Sequence, residues 1–176
     1  RFMASLLAIS TSYLPSMRSL HQSLNCDALY TTGAGGRESK NTVHSEIHDP
    51  RIEYRHRANV ALGTDGAASN NDLDTFGELR CAALIAKPIA QNASALDAIT
   101  AIELATINGA KALGLDAITG SLEIGKSADF IAIDLNRLNS QPSYNIHSDI
   151  VYSVNSQQVS DHWIQGKQLL KGGRFT

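Results

Sequence analysis

The sequence predicts an α/β chain, and three observations predict it. A short apolar run, Asn59-Val60-Ala61-Leu62-Gly63-Thr64-Asp65, reads as a buried strand ending on polar residues. Apolar residues then recur at helical spacing between Asn71 and Gly114, and after Gly120 the period switches to two. The expected order is strand, helices, strands.

Element by element, Asn71 or Asp72 is placed to cap a helix that runs to about Lys87, where Pro88 stops it. Ser94 with Asp97 forms a capping-box-like start for a second helix, whose apolar face is Leu96, Ile99, Ile102, Leu104 and Ala105. Asn108-Gly109 breaks that helix, and one further turn from Ala110 to Leu113 ends at Gly114. Strands are expected over Asp129–Leu135, Ile150–Ser153 and Val159–Ile164, with Gln165-Gly166 as a hairpin turn into Lys167–Leu170. Upstream of Arg57 little is specified. Apolar residues cluster at Phe2 to Leu7 and thin out from Thr31 to Arg57 into polar, Gly-containing sequence with the texture of a loop.

The chain has 176 residues, 43% hydrophobic and 18% charged. That is enough for one domain with a core, and too little for a complete (β/α)₈ barrel of about 250 residues. A formal charge of -2 leaves no basic excess for phosphate backbones or anionic lipid, so neither nucleic acid nor membrane is an expected partner. No apolar run reaches the roughly 18 residues of a membrane helix. Cys26 and Cys81 are too few and too far apart for a disulfide framework or a metal knuckle, which places the protein in a reducing compartment, the cytoplasm. In that setting the Asn92-Ala93-Ser94 sequon has no consequence. The start on Arg1 implies that an upstream part is missing.

Asp65 is the candidate chemical residue. It stands at the C-terminal end of the buried strand, followed by the small residues Gly66-Ala67-Ala68-Ser69. Strand C-terminal ends carry the reacting groups in barrel enzymes, and small neighbours let a substrate and a metal approach the backbone. A carboxylate there binds a divalent metal and accepts a proton from water bound to it. On position alone the alternative is an aspartate that caps the loop or the following helix.

Four motifs carry a resemblance. Leu62-Gly63-Thr64-Asp65-Gly66-Ala67-Ala68-Ser69-Asn70-Asn71-Asp72-Leu73-Asp74, with Phe76-Gly77-Glu78-Leu79-Arg80 behind it, resembles the eighth-strand segment of the metal-dependent amidohydrolases, in the group of methylthioadenosine/S-adenosylhomocysteine deaminases and triazine chlorohydrolases. Ala105-Thr106-Ile107-Asn108-Gly109-Ala110-Lys111-Ala112-Leu113-Gly114 resembles the next helix pair of that family. The return into its small β domain is similar to Gly120-Ser121-Leu122-Glu123-Ile124-Gly125-Lys126-Ser127-Ala128-Asp129-Phe130, and its closing hairpin to Trp163-Ile164-Gln165-Gly166-Lys167. The likeness covers residues 59–176.

The resemblance implies the C-terminal part of a TIM (β/α)₈ barrel, its last strand and helices over residues 58–116, followed by strands of a small β-sandwich domain over 117–176. It also implies a divalent metal, usually zinc, held by a His-x-His pair, two later histidines and an aspartate. Only the aspartate carries over, onto Asp65, as metal ligand, proton acceptor and substrate contact. The implied reaction is hydrolytic deamination of a small heteroaromatic substrate: water activated at the metal attacks a ring carbon bearing an amino group, and ammonia leaves. Adenosine-type thioether nucleosides are the implied substrates, with guanine deamination or chlorotriazine hydrolysis as alternatives within the class. A homo-oligomer is compatible with the intact enzyme.

The chain has no His-x-His, and by itself is expected to lack turnover. Residues 1–57 do not match the family pattern, so His21, His44, His48 and His56 are not assigned as ligands. The abrupt onset of the likeness points to a frameshifted or rearranged coding region, or to a poorly ordered segment. A rival from another class is a truncated relic or interaction module that keeps the fold without its metal site. Other motifs are weak. His44-Ser45-Glu46-Ile47-His48 displaces the glutamate of the His-Glu-x-x-His pattern and is followed by Pro50. Glu38 stands where a dinucleotide-binding Gly33-Ala34-Gly35-Gly36 loop needs its third glycine. Cys81 reads as a small core residue, Trp163 as packing of the β domain, and Lys126 and Lys167 as solvated turn residues.

Overall fold

The computed structural model describes residues 2–4, 29–32, 59–64 and 73–176. Seven strands and four α-helices lie among them: β1 (Phe2–Ala4), β2 (Leu29–Thr32), β3 (Asn59–Leu62), α1 (Thr75–Ala90), α2 (Ala98–Leu104), α3 (Ile107–Ala112), β4 (Phe130–Ile133), α4 (Ile146–Tyr152), β5 (Val159–Ile164), β6 (Lys167–Lys171) and β7 (Arg174–Phe175). The fold is α/β. β2 and β3 form an antiparallel pair, and β1-β4-β5-β6-β7 form an antiparallel sheet in that order.

β3 is buried from Val60 onward, as its unbroken apolar sequence requires. Its neighbours in the core are Phe76, Leu79, Ala82 and Ala83 of α1, Ala101 and Leu104 of α2, Ile131 and Ile133 of β4, and Ile150, Val151 and Val154 in and just after α4. One continuous apolar cluster therefore joins the strand-and-helix part of the chain to the antiparallel sheet.

The helices depart from the sequence expectation in five places. Helix α1 is capped by Asp74, whose Oδ1 accepts from the Phe76 amide at 3.1 Å, instead of by Asn71 or Asp72. It runs on through Pro88 to Ala90 and closes on Gln91 in the left-handed region. A proline three residues from the end removes only one hydrogen bond, and it falls beside the exposed side of the helix at Leu84. Helix α2 starts at Asp97, whose Oδ1 accepts from the amides of Ile99 and Thr100, and Ser94 lies outside it. Ile99 is 53% exposed and faces away from the core, which takes Ala101, Leu104 and Ala105. Asn108-Gly109 lies inside α3 and breaks nothing, because the helix path already turns at Ala105 and Thr106.

The expected strand Ile150–Ser153 is helix α4. Asn145 caps it by accepting from the Ser148 amide at 3.0 Å. Ile150 and Val151 of α4 and Val154 just past its end are fully buried. Over four residues this apolar run does not distinguish a period of two from 3.6. Strand β5 matches its expected bounds, and β4 and β6 sit within about two residues of theirs. Phe130 and Trp163 are cross-strand partners on β4 and β5, with ring centroids 4.5 Å apart, so Trp163 packs the sheet as expected. The β5–β6 hairpin turns on Gln165 at φ 51 and Gly166 at φ 76, the pair of positive angles of a type I′ turn, and glycine meets the second without strain. Upstream, the loop-like reading of Thr31 to Arg57 is corrected at Thr31 and Thr32, which belong to β2 and pair with β3, and within the apolar cluster Phe2 to Leu7 residues 2–4 pair with β4.

Candidate functional site

The candidate site is the C-terminal end of β3. The strand is held on one edge by β2, in the register Leu29 to Leu62 and Thr32 to Asn59. Helix α3 packs behind it, and the Asn59 side-chain amide donates to the Asn108 carbonyl at 2.9 Å. That bond fixes the position of the strand along the helix. Gly63 and Thr64 continue the buried path beyond Leu62, with Thr64 only 6% exposed. Asp65 and the small residues after it lie outside the described residues, as do His21, His44, His48, His56, Cys26 and the Gly33–Gly36 patch.

The described residues continue from Leu73, which is exposed, and helix α1 takes its N-terminal cap from Asp74. Helix α1 is then tied to α4 by two cations. The Arg80 Nη2 donates to the Val154 carbonyl at 2.5 Å, just past the end of α4, and the Lys87 Nζ donates to the Tyr152 hydroxyl at 2.8 Å and to the Ala83 carbonyl. Sequence reasoning missed both ties. The available signal was a cation facing the buried side of an apolar helix, where its charge needs a partner.

Other polar clusters brace the sheet. Burial opposes ionisation of Asp129, yet the Gln165 amide, the Thr119 and Ser127 hydroxyls and the positive side of His162 together hold its carboxyl below the usual range. The chain entering β4 is thereby fastened to the β5–β6 turn. Asp161, buried on β5, accepts from Ser160, Gln168 and the Gly172 amide. Lys126 corrects another expectation: its side chain is only 14% exposed and bonds Ser121 and Glu123, so it braces its turn instead of standing in solvent. Lys167 is exposed, and Cys81 is half-buried on α1.

Among the described residues no group of three or more His, Cys, Asp or Glu side chains is placed to hold a metal ion. No described helix is long and apolar enough to cross a membrane.

The model of the amidohydrolase family matches residues 13–169, most of the chain. The chain belongs to the amidohydrolase family. That match begins upstream of Asn59, where the likeness is first legible in the sequence. A 5-methylthioadenosine/S-adenosylhomocysteine deaminase of Teredinibacter turnerae is 57% identical over 118 residues, which are 67% of this chain and 27% of that protein. The deaminase of the same description from Saccharophagus degradans is 55% identical over 115 residues, 65% of this chain and 26% of that protein. Among solved structures, an adenosine deaminase from Xanthomonas campestris with bound zinc is 46% identical, with a TM-score of 0.68 over 71% of this chain and 28% of that one. The zinc complex of atrazine chlorohydrolase from Arthrobacter aurescens is 27% identical, with a TM-score of 0.66 over 72% of this chain and 28% of that one. The amidohydrolase chain thus spans about a quarter of the length of the relatives it matches.

Proposed function

We propose that this amidohydrolase chain is the C-terminal portion of a zinc-dependent deaminase acting on methylthioadenosine, S-adenosylhomocysteine or a closely related adenosine-type nucleoside. In this reading β3 is the last strand of the barrel, α1 to α3 are its following helices, and residues 117–176 are the closing part of the small β domain. The observation that carries it is the 57% identity over 118 residues to a deaminase of that substrate class. Identity to the chlorohydrolase is 27%, which ranks hydrolysis of a chlorinated ring lower.

Asp65 is the proposed functional residue. A strand whose buried path continues past its end at Leu62 as far as Thr64, and which is locked to α3 through Asn59, is a rigid base for a carboxylate that must be held in place. Zinc, when bound by Asp65 and by ligands from the remainder of the enzyme, supplies Lewis acidity toward water. Asp65 itself accepts a proton and contacts the substrate ring.

The second reading is a non-catalytic relic, favoured by the absence of a His-x-His from the sequence. One experiment separates the two. Residues 59–176 are grafted into the Teredinibacter turnerae deaminase in place of its matching segment, and ammonia release from methylthioadenosine and S-adenosylhomocysteine is measured at known zinc content. Turnover within about tenfold of the parent supports the deaminase reading, since a loss of tenfold is about 1.4 kcal/mol of transition-state stabilisation. A folded, zinc-loaded hybrid without turnover overturns it in favour of the relic.

A further inference from the structure

We draw no further inference here: the strongest candidate, the exposed apolar side chains Leu113, Leu115, Ile118, Leu122 and Ile124 in the connection between α3 and β4, carries nothing because nothing in the structure shows what covers them.

Discussion

The Lys87 Nζ lies 2.8 Å from the Tyr152 hydroxyl and 5.3 Å from the centre of its ring, so the last turn of α1 is fastened to the last residue of α4 across the core. The same ammonium bonds the Ala83 carbonyl of its own helix. A lysine with these partners contributes to stability as a donor and through its stem. Lys87→Met keeps the stem and removes the donor. Its expected cost is about 1.5–3 kcal/mol, the range for hydrogen bonds that involve a charged group. Tyr152→Phe costs less, and the double variant costs less than the sum by at least about 0.5 kcal/mol. Urea denaturation of the four proteins measures this, and strict additivity would show that the two side chains are not coupled.

Gly120 approaches α3 more closely than any side chain permits. A Cβ on it would stand 2.6 Å from the Ala110 Cβ and 3.1 Å from the Ile107 Cα, at a φ of +90°. Gly120→Ala therefore adds overpacking of about 1–3 kcal/mol to backbone strain of similar size. Gly125 is the control, because its φ is +97° but nothing lies within 4 Å of its missing Cβ. Gly125→Ala is expected to cost only the strain. Equal losses in the two variants would contradict a steric role for the Gly120 contact.

Acid should loosen the fastening of β4 to the hairpin. The folded chain holds the Asp129 carboxyl below its ordinary value of 3.8, so the ionised form is favoured by folding. Its contribution is fully present above that ordinary value and is lost as pH falls through the depressed folded one. Asp97, bonded first by the Thr100 amide and hydroxyl, shifts in the same direction. Asp129→Asn should thus lower the urea midpoint clearly at pH 6, and the gap to the parent should narrow below about pH 4. A gap independent of pH would exclude a charged role for Asp129.

Much of this fold was legible where a local rule and the tertiary structure agree. Val159–Ile164 and the Gln165-Gly166 turn were readable because period-two patterning and turn chemistry act within a few residues. Helix α4 was not, since its buried residues Ile150 and Val151 stand side by side in a run too short to show a period, and take their place only once the Asn145 cap sets the helix start. The caps at Asp74 and Asp97 were displaced by two or three residues for a related reason: several capping residues stand together before each helix, and packing of Phe76 and Ala101 selects among them. For the site, the sequence marked the family and the buried strand but ran that strand to Asp65, where β3 ends at Leu62, while the braces Asn59 to Asn108 and Arg80 to Val154 link residues 49 and 74 positions apart and leave no local pattern.

The remaining prediction concerns Asp65 in the hybrid enzyme. Asp65→Asn should leave the fold intact and abolish turnover. The exchange keeps the size of the side chain and much of its hydrogen-bonding shape. A helix cap would lose little by it, because asparagine caps about as well as aspartate, and α1 already has its cap in Asp74. A metal ligand that also accepts a proton loses charge and basicity together. General-base assistance alone is commonly worth about 10² to 10⁴ in rate. Zinc content must be measured with activity, so that a fall in occupancy is told apart from a loss at the proton-transfer step. Retention of more than about a tenth of the parent rate at equal zinc content is too small a loss for either role, and would return Asp65 to a loop-shaping residue. Loss of zinc with turnover recovered at high metal concentration would assign it as a ligand alone. A loss of at least about a hundredfold at full zinc occupancy assigns the proton-accepting role to this carboxylate.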